Sequence, residues 1–171
     1  VGAYNAFWTY GKKTALYDIK RASECRDLSE LKVELQKVQL PPIKIVVTGS
    51  GRVGNGVKEI LALLNIPEVE THEFLHLYFE EPVFTLLSTS DYNRRKADGG
   101  YDREEFYTSP EKYESHFLKF AEAGEMLIAA AYWNPDAPRL FRLEDINSPD
   151  FGLSVIADIT CDVGGSIPTT L

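Results

Sequence analysis

Four glycines fall within the eight residues Gly49-Ser50-Gly51-Arg52-Val53-Gly54-Asn55-Gly56, directly after the β-branched run Ile45-Val46-Val47-Thr48. Pro41-Pro42 closes the preceding element, and Ile43 to Thr48 then reads as a strand buried on both faces. From Arg52 onward, Val53, Val57, Ile60, Leu61 and Leu64 recur at helical intervals. The glycines therefore join a buried strand to an amphipathic helix. Within them, Gly49, Gly51 and Gly54 have the G-x-G-x-x-G spacing. That spacing serves a tight turn, close approach of backbone to a pyrophosphate, and close packing of helix on strand. The helix start would aim unpaired N–H groups and a positive dipole end at the same anion. A P-loop is the nearest rival, but Gly56 is followed by Val57-Lys58-Glu59, so the required Lys and hydroxyl are out of place.

The second part of a dinucleotide fingerprint is an acid at the end of the second strand, which binds the adenosine ribose. The reading places that strand at Val69 to Phe74, after the turn at Pro67, and Glu73 at the ribose. A carboxylate there repels a 2′-phosphate, which favours NAD over NADP. Arg52, inside the turn, is either a cation covering the pyrophosphate or an exposed residue of the first helical turn. The basic run Arg94-Arg95-Lys96 reads as a solvated loop rather than a ribose ligand.

Elsewhere Tyr4, Phe7 and Trp8 sit at helical spacing, with Gly11 as a stop, and Asp27 to Val38 forms an amphipathic helix whose Asp27 and Glu30 resemble a capping box. Residues 76–122 read as an insertion, holding a short strand Val83 to Leu87, a long loop and a helix opened by Ser109-Pro110 that turns Tyr113, Phe117 and Phe120 inward. Met126 to Ala131 and Leu153 to Ile159 are two further strands, with a short helix near Leu143 to Ile146 between them. This alternation predicts an α/β, Rossmann-like doubly wound, mainly parallel sheet with helices on both faces and an insertion after the second strand. At 171 residues the chain holds one domain, its first 42 residues being a leading helix and linker.

The net charge of −8 excludes a nucleic-acid partner, which wants clustered Lys and Arg. No apolar run approaches the roughly 20 residues of a membrane span. The start at Val1, without a secretory layout, reads as a cytoplasmic domain cut from a longer chain. Cys25 and Cys161 share no metal or redox spacing. His72, His76 and His116 are the candidates for proton transfer, and none has a suitable place. Asp158 and Asp162 either face a substrate or cap the turn at Gly164-Gly165. The residues thus point to a nucleotide site whose chemistry is completed by another segment.

With these elements placed, the chain resembles the nucleotide-binding domain of NAD-dependent, lysine-forming saccharopine dehydrogenase, within the alanine dehydrogenase and transhydrogenase family. The resemblance rests on Gly51-Arg52-Val53-Gly54-Asn55-Gly56, on Met126-Leu127-Ile128-Ala129-Ala130-Ala131 with Tyr132 after it, and on Val155-Ile156-Ala157-Asp158-Ile159-Thr160-Cys161-Asp162. It runs from about residue 43 to the end, outside the insertion. It implies that the backbone at Arg52 and Val53 contacts the pyrophosphate, Glu73 the ribose, and that Tyr132 and Ile159 lie along the cofactor. It also implies a second Rossmann-like domain, preceding this chain, that supplies the acid–base Lys and His, with a small amino-acid substrate in the cleft between. The implied reaction passes a hydride from the secondary amine carbon of saccharopine to NAD, and imine hydrolysis releases lysine and 2-oxoglutarate. An alanine dehydrogenase or transhydrogenase-type domain, or a binding module without catalysis, are the rival readings. The aromatics of the insertion, Tyr92, Tyr101, Phe106 and Tyr107, suit a subunit contact in an oligomer or a lid.

Overall fold

The computed structural model describes residues 1–161 and 164–170. Strand β1 (Lys44–Thr48) is one of two inner strands of a parallel sheet, paired on one side with β2 (Val83–Leu87). On its other side lies β5 (Met126–Ala129), which pairs with β6 (Val155–Asp158), giving the order β2-β1-β5-β6. Ile45 and Val47 lie in one core with Met126 and Ile128, while Val46 lies in the other with Leu127 and Ala129. This period-2 division buries both faces, as the unbroken apolar runs require.

Helices cover each face. On the first lie α1 (Gly2–Thr14), which contributes Tyr4, Phe7 and Tyr10, α2 (Leu28–Leu35), capped by Asp27, and α3 (Arg52–Leu63), which contributes Val57 and Leu61. On the second lie α4 (Thr71–His76) with Phe74 and α7 (Leu118–Ala123) with Phe120 and Ala121. Helix α1 runs past Gly11 to Thr14 and ends on Ala15 in the left-handed conformation. Gly11 lies within the helix, and its lack of a side chain makes room for Tyr17, whose ring lies 2.6 Å from the Cβ position.

Several sequence expectations fail. The stretch Val69 to Phe74, expected as the second strand, contains helix α4, and β2 is the run Val83–Leu87 that the sequence reading placed inside the insertion. Glu70 and Glu73 form a reciprocal capping box, with the Glu70 N–H donating to Glu73 Oε2 at 3.2 Å, so this pair starts a helix. The segment touches the sheet edge only at its start, where Glu68 forms an isolated bridge to Phe84: the Val69 N–H donates to the Phe84 carbonyl and the Phe84 N–H to that of Pro67. The insertion that follows the second strand therefore begins after Leu87.

The helix expected from Ser109 is also absent. Pro110–Lys112 forms a single 3₁₀ turn, and β4 (Tyr113–Ser115) then pairs antiparallel with β3 (Asn93–Arg95), while α7 starts only at Leu118. Between Leu87 and β3 lies the single helical turn α5 (Thr89–Tyr92), and between β3 and β4 lies α6 (Arg103–Thr108). Arg95 holds this unit together: its Nε meets Glu105 Oε2 at 2.6 Å and its Nη1 meets Asp98 Oδ2 at 2.8 Å. Arg94 donates to the carbonyls of Ser90 and Asn93, and Lys96 to that of Glu111. Arg94 and Arg95 are thus half-buried in the insertion's own fold, while Lys96 stays exposed as expected of a solvated loop.

Glu105 accepts from Lys112, Tyr113 and Arg95, which together hold its carboxyl down at about 2 from the ordinary 4.5. A depressed folded-state value means that the anchoring is complete above the unfolded value and is lost as pH falls through the folded one. The protection factors of the β3 and β4 amides, measured against intrinsic exchange at each pH, should therefore fall between pH 4.5 and about 2. In Glu105→Gln the same amides should exchange fast at pH 7, with that acid-side step gone.

Gly56 is an exposed residue inside α3 with nothing within 4 Å of its Cβ position. Gly56→Ala should raise stability by about 0.8 kcal/mol in denaturant unfolding, the usual helical difference between the two residues.

Candidate functional site

The chain leaves β1 for β2 on one side and reaches β5 on the other, so the carboxyl ends of β1 and β5 flank the crevice where open parallel sheets bind ligands. The glycine turn is built there. Gly49 has φ 94°, and a Cβ on it would sit 2.6 Å from Ala131 Cα, so only glycine serves. A Cβ on Gly54 would overlap the Gly49 carbonyl oxygen, which is what brings α3 down onto the strand end. Gly51 differs from both, since nothing lies within 4 Å of its Cβ position. Its open side belongs to a cleft of about 550 Å³.

Gly51 is also the N-cap of α3, with no side chain capping it and no acid in the first turn. The first N–H groups of a twelve-residue helix thus meet the cleft without side-chain partners. Arg52, exposed at the helix start, adds a positive charge to the same wall. The local electrostatics favour an anion.

The opposite walls come from three places. The end of β2 contributes Ser88, Thr89 and Ser90, the end of β5 contributes Ala130, Ala131 and Tyr132, and the insertion contributes Tyr101, Arg103 and Tyr107. Thr89 Oγ1 and Tyr101 Oη are joined by a 2.5 Å hydrogen bond. A smaller chamber of about 30 Å³ adjoins the cleft and shares Thr89, Tyr107, Ala131 and Tyr132 with it. Trp133 also borders that chamber, and its Nε1 is the one buried side-chain nitrogen or oxygen without a partner among the described residues. The volume suits a bridging water.

Of the residues expected at the site, Gly49, Gly51, Arg52, Val53 and Tyr132 line the cleft, and Gly54 is buried beneath the turn. Tyr132 is 80% exposed. Ile159 lies elsewhere, against Gly2 of α1. Glu73 is corrected: it is an exposed residue of α4, occupied in the capping box, and the position after the second strand belongs to Ser88-Thr89-Ser90. Asp91 on that loop accepts from the N–H and Oγ of Ser88, both at 2.7 Å, and does not line the cleft. The signal for this was present in Val83-Phe84-Thr85-Leu86-Leu87, a better buried strand than the acid-rich Val69 to Phe74.

His72, His76 and His116 line no part of the cleft. His72 and His76 stack on each other at 4.6 Å on α4. Asp158 accepts from Thr160 Oγ1, Cys161 N and Thr170 Oγ1 and so fastens the chain after β6, the capping role rather than the substrate-facing one. Asp162 falls outside the described residues. Among the described residues no three His, Cys, Asp or Glu side chains gather to hold a metal, and no helix is long and apolar enough to cross a membrane.

No protein-family model matches the chain. It is similar to alpha-aminoadipic semialdehyde synthase, mitochondrial, of Mus musculus, at 31% identity over 160 aligned positions, and of Bos taurus, at 32%. Each match covers 81% of this chain and 17% of the relative. The Arabidopsis thaliana alpha-aminoadipic semialdehyde synthase is 29% identical over 146 positions, 74% of this chain and 14% of the relative. The chain thus spans less than a fifth of the length of the relatives it matches. With the parallel α/β fold and the glycine turn, this similarity places the chain in the saccharopine dehydrogenase-like family of lysine degradation.

Proposed function

We propose that the chain is the dinucleotide-binding domain of a saccharopine dehydrogenase-like oxidoreductase. The observation that carries this reading is the open side of Gly51, facing a cleft of about 550 Å³ at the switch point of the sheet beneath an uncapped helix start. Backbone N–H groups of Arg52 and Val53 would hold the pyrophosphate, and the β2 end would hold the adenosine ribose. When bound, the nicotinamide would exchange a hydride with the substrate carbon. The chain's own residues bind and orient the cofactor. The acid–base group comes from a domain outside this chain, consistent with three histidines that all lie away from the cleft. Saccharopine is the substrate this reading assigns to the whole enzyme.

The case for NAD rested on Glu73, which is not at the ribose position. Three hydroxyl residues stand there, and Arg103 lines the same cleft. Hydroxyls and a guanidinium accommodate a 2′-phosphate, whereas a carboxylate repels it, so the geometry favours NADP over NAD. Calorimetric titration of the chain with both cofactors tests the pair of claims. NADP should bind more tightly than NAD, and Arg103→Ala should narrow that preference roughly fivefold to tenfold, as expected for a partly solvated charge contact. Absence of heat with either cofactor at millimolar concentration would remove the dinucleotide reading. A preference for NAD would return the cofactor to the sequence expectation.

A further inference from the structure

We infer that the insertion supplies the adenine platform of this site, with Tyr107 as the stacking surface; the inference rests on the dinucleotide reading. Besides the glycine turn, Ser88-Thr89-Ser90 and the β5 end at Ala130 to Tyr132, the cleft is lined by Tyr101, Arg103 and Tyr107. All three belong to the segment between β2 and β4, outside the β-α-β core. Tyr101, hydrogen-bonded to Thr89, sets this part of the insertion beside the β2 end, so a base extending from a ribose there meets the insertion.

Tyr107 is built for that contact. It is 47% exposed, yet its ring meets Phe106 edge-on at 5.7 Å, and Phe106 in turn meets Tyr113 at 5.2 Å. Phe106 and Tyr113 are themselves buried, so the exposed ring rests on a fixed aromatic stack. Arg103 lies over the Tyr107 ring at 6.0 Å, beside the same wall. The Thr89–Tyr101 hydrogen bond at 2.5 Å ties the ribose loop to this stack, so the two walls keep their spacing. A flat purine stacks on such a face without needing a particular hydrogen-bonding edge.

The test compares whole and half cofactors on the 171-residue chain. Tyr107→Ala should weaken NADP and adenosine 5′-monophosphate about tenfold, the usual effect of removing one base–aromatic stack. Nicotinamide mononucleotide should bind as to the unaltered chain, and Tyr107→Phe should bind all three normally. Thermal unfolding of both variants accompanies the titrations, and a half-exposed position should move it little. If the unaltered chain binds NADP and Tyr107→Ala binds it equally well, or weakens the nicotinamide half to the same extent, the platform is refuted while the dinucleotide site stands. If the unaltered chain binds neither cofactor, both readings fall.

Discussion

Gly54→Ala should destabilise the chain by about 3 kcal/mol or more, and lower its thermal midpoint by roughly 10 °C for a domain of this size. The added methyl would overlap the Gly49 carbonyl oxygen and lie 2.9 Å from the Gly49 carbonyl carbon, both of them backbone. Gly49 cannot retreat, since its own Cβ position lies 2.6 Å from Ala131 Cα and its N–H is held by the Leu87 carbonyl at 2.9 Å. Helix α3 must therefore lift from β1, which also loosens Val57 and Leu61 in the core below. The same substitution two residues on, at Gly56, meets nothing within 4 Å and should stabilise. Opposite signs in denaturant unfolding, for two glycines of one helix, are the expected result. A midpoint for Gly54→Ala within about 2 °C of the parent would show that the strand–helix contact is looser than described.

Gly51→Asp should do the reverse, leaving stability intact and removing nucleotide binding. Gly51 has φ −83° and ψ −161°, extended backbone open to any residue, and open space at its Cβ position. It is an N-cap, where Asp is favoured over Gly by a few tenths of a kcal/mol, so the thermal midpoint should hold or rise slightly. The carboxylate would satisfy the helix N–H groups that the pyrophosphate needs and would add a negative charge where the anion sits. Affinity for NADP should fall by more than about a hundredfold, on the scale of a lost anion site together with like-charge repulsion. Full binding by a stable Gly51→Asp chain would move the pyrophosphate away from this turn.

What the sequence made legible was local. The strand at Ile43 to Thr48, the glycine turn, α2 with its Asp27 cap, and the strands near Met126 and Val155 are each specified by a short run of residues, and each lies where its pattern placed it. The failures have two causes, a local capping box read as part of a strand and pairings distant in the chain. Glu70 and Glu73 turn Val69 to Phe74 into a helix start, and the strand role passes to Val83–Leu87, which finds β1 across some 35 residues. Tyr113 leaves its expected helix because Arg95, Glu105 and Tyr113 close a hydrogen-bonded and ionic unit from three separate segments. Half of the candidate site was therefore readable, the glycine wall. The ribose and insertion walls became visible only once β2 was known to end at Leu87.

A dinucleotide held jointly by the glycine turn and the β2 end, as proposed, would be visible in amide chemical-shift mapping of the 19.2 kDa chain during titration with NADP. The account predicts that the largest shifts fall at Gly49 to Val53, Ser88 to Ser90 and Ala130 to Tyr132, with those of α2 and α4, including Glu73, unmoved. Saturating NADP that leaves Gly51, Arg52 and Val53 unshifted, or shifts confined to another face of the chain, would contradict it.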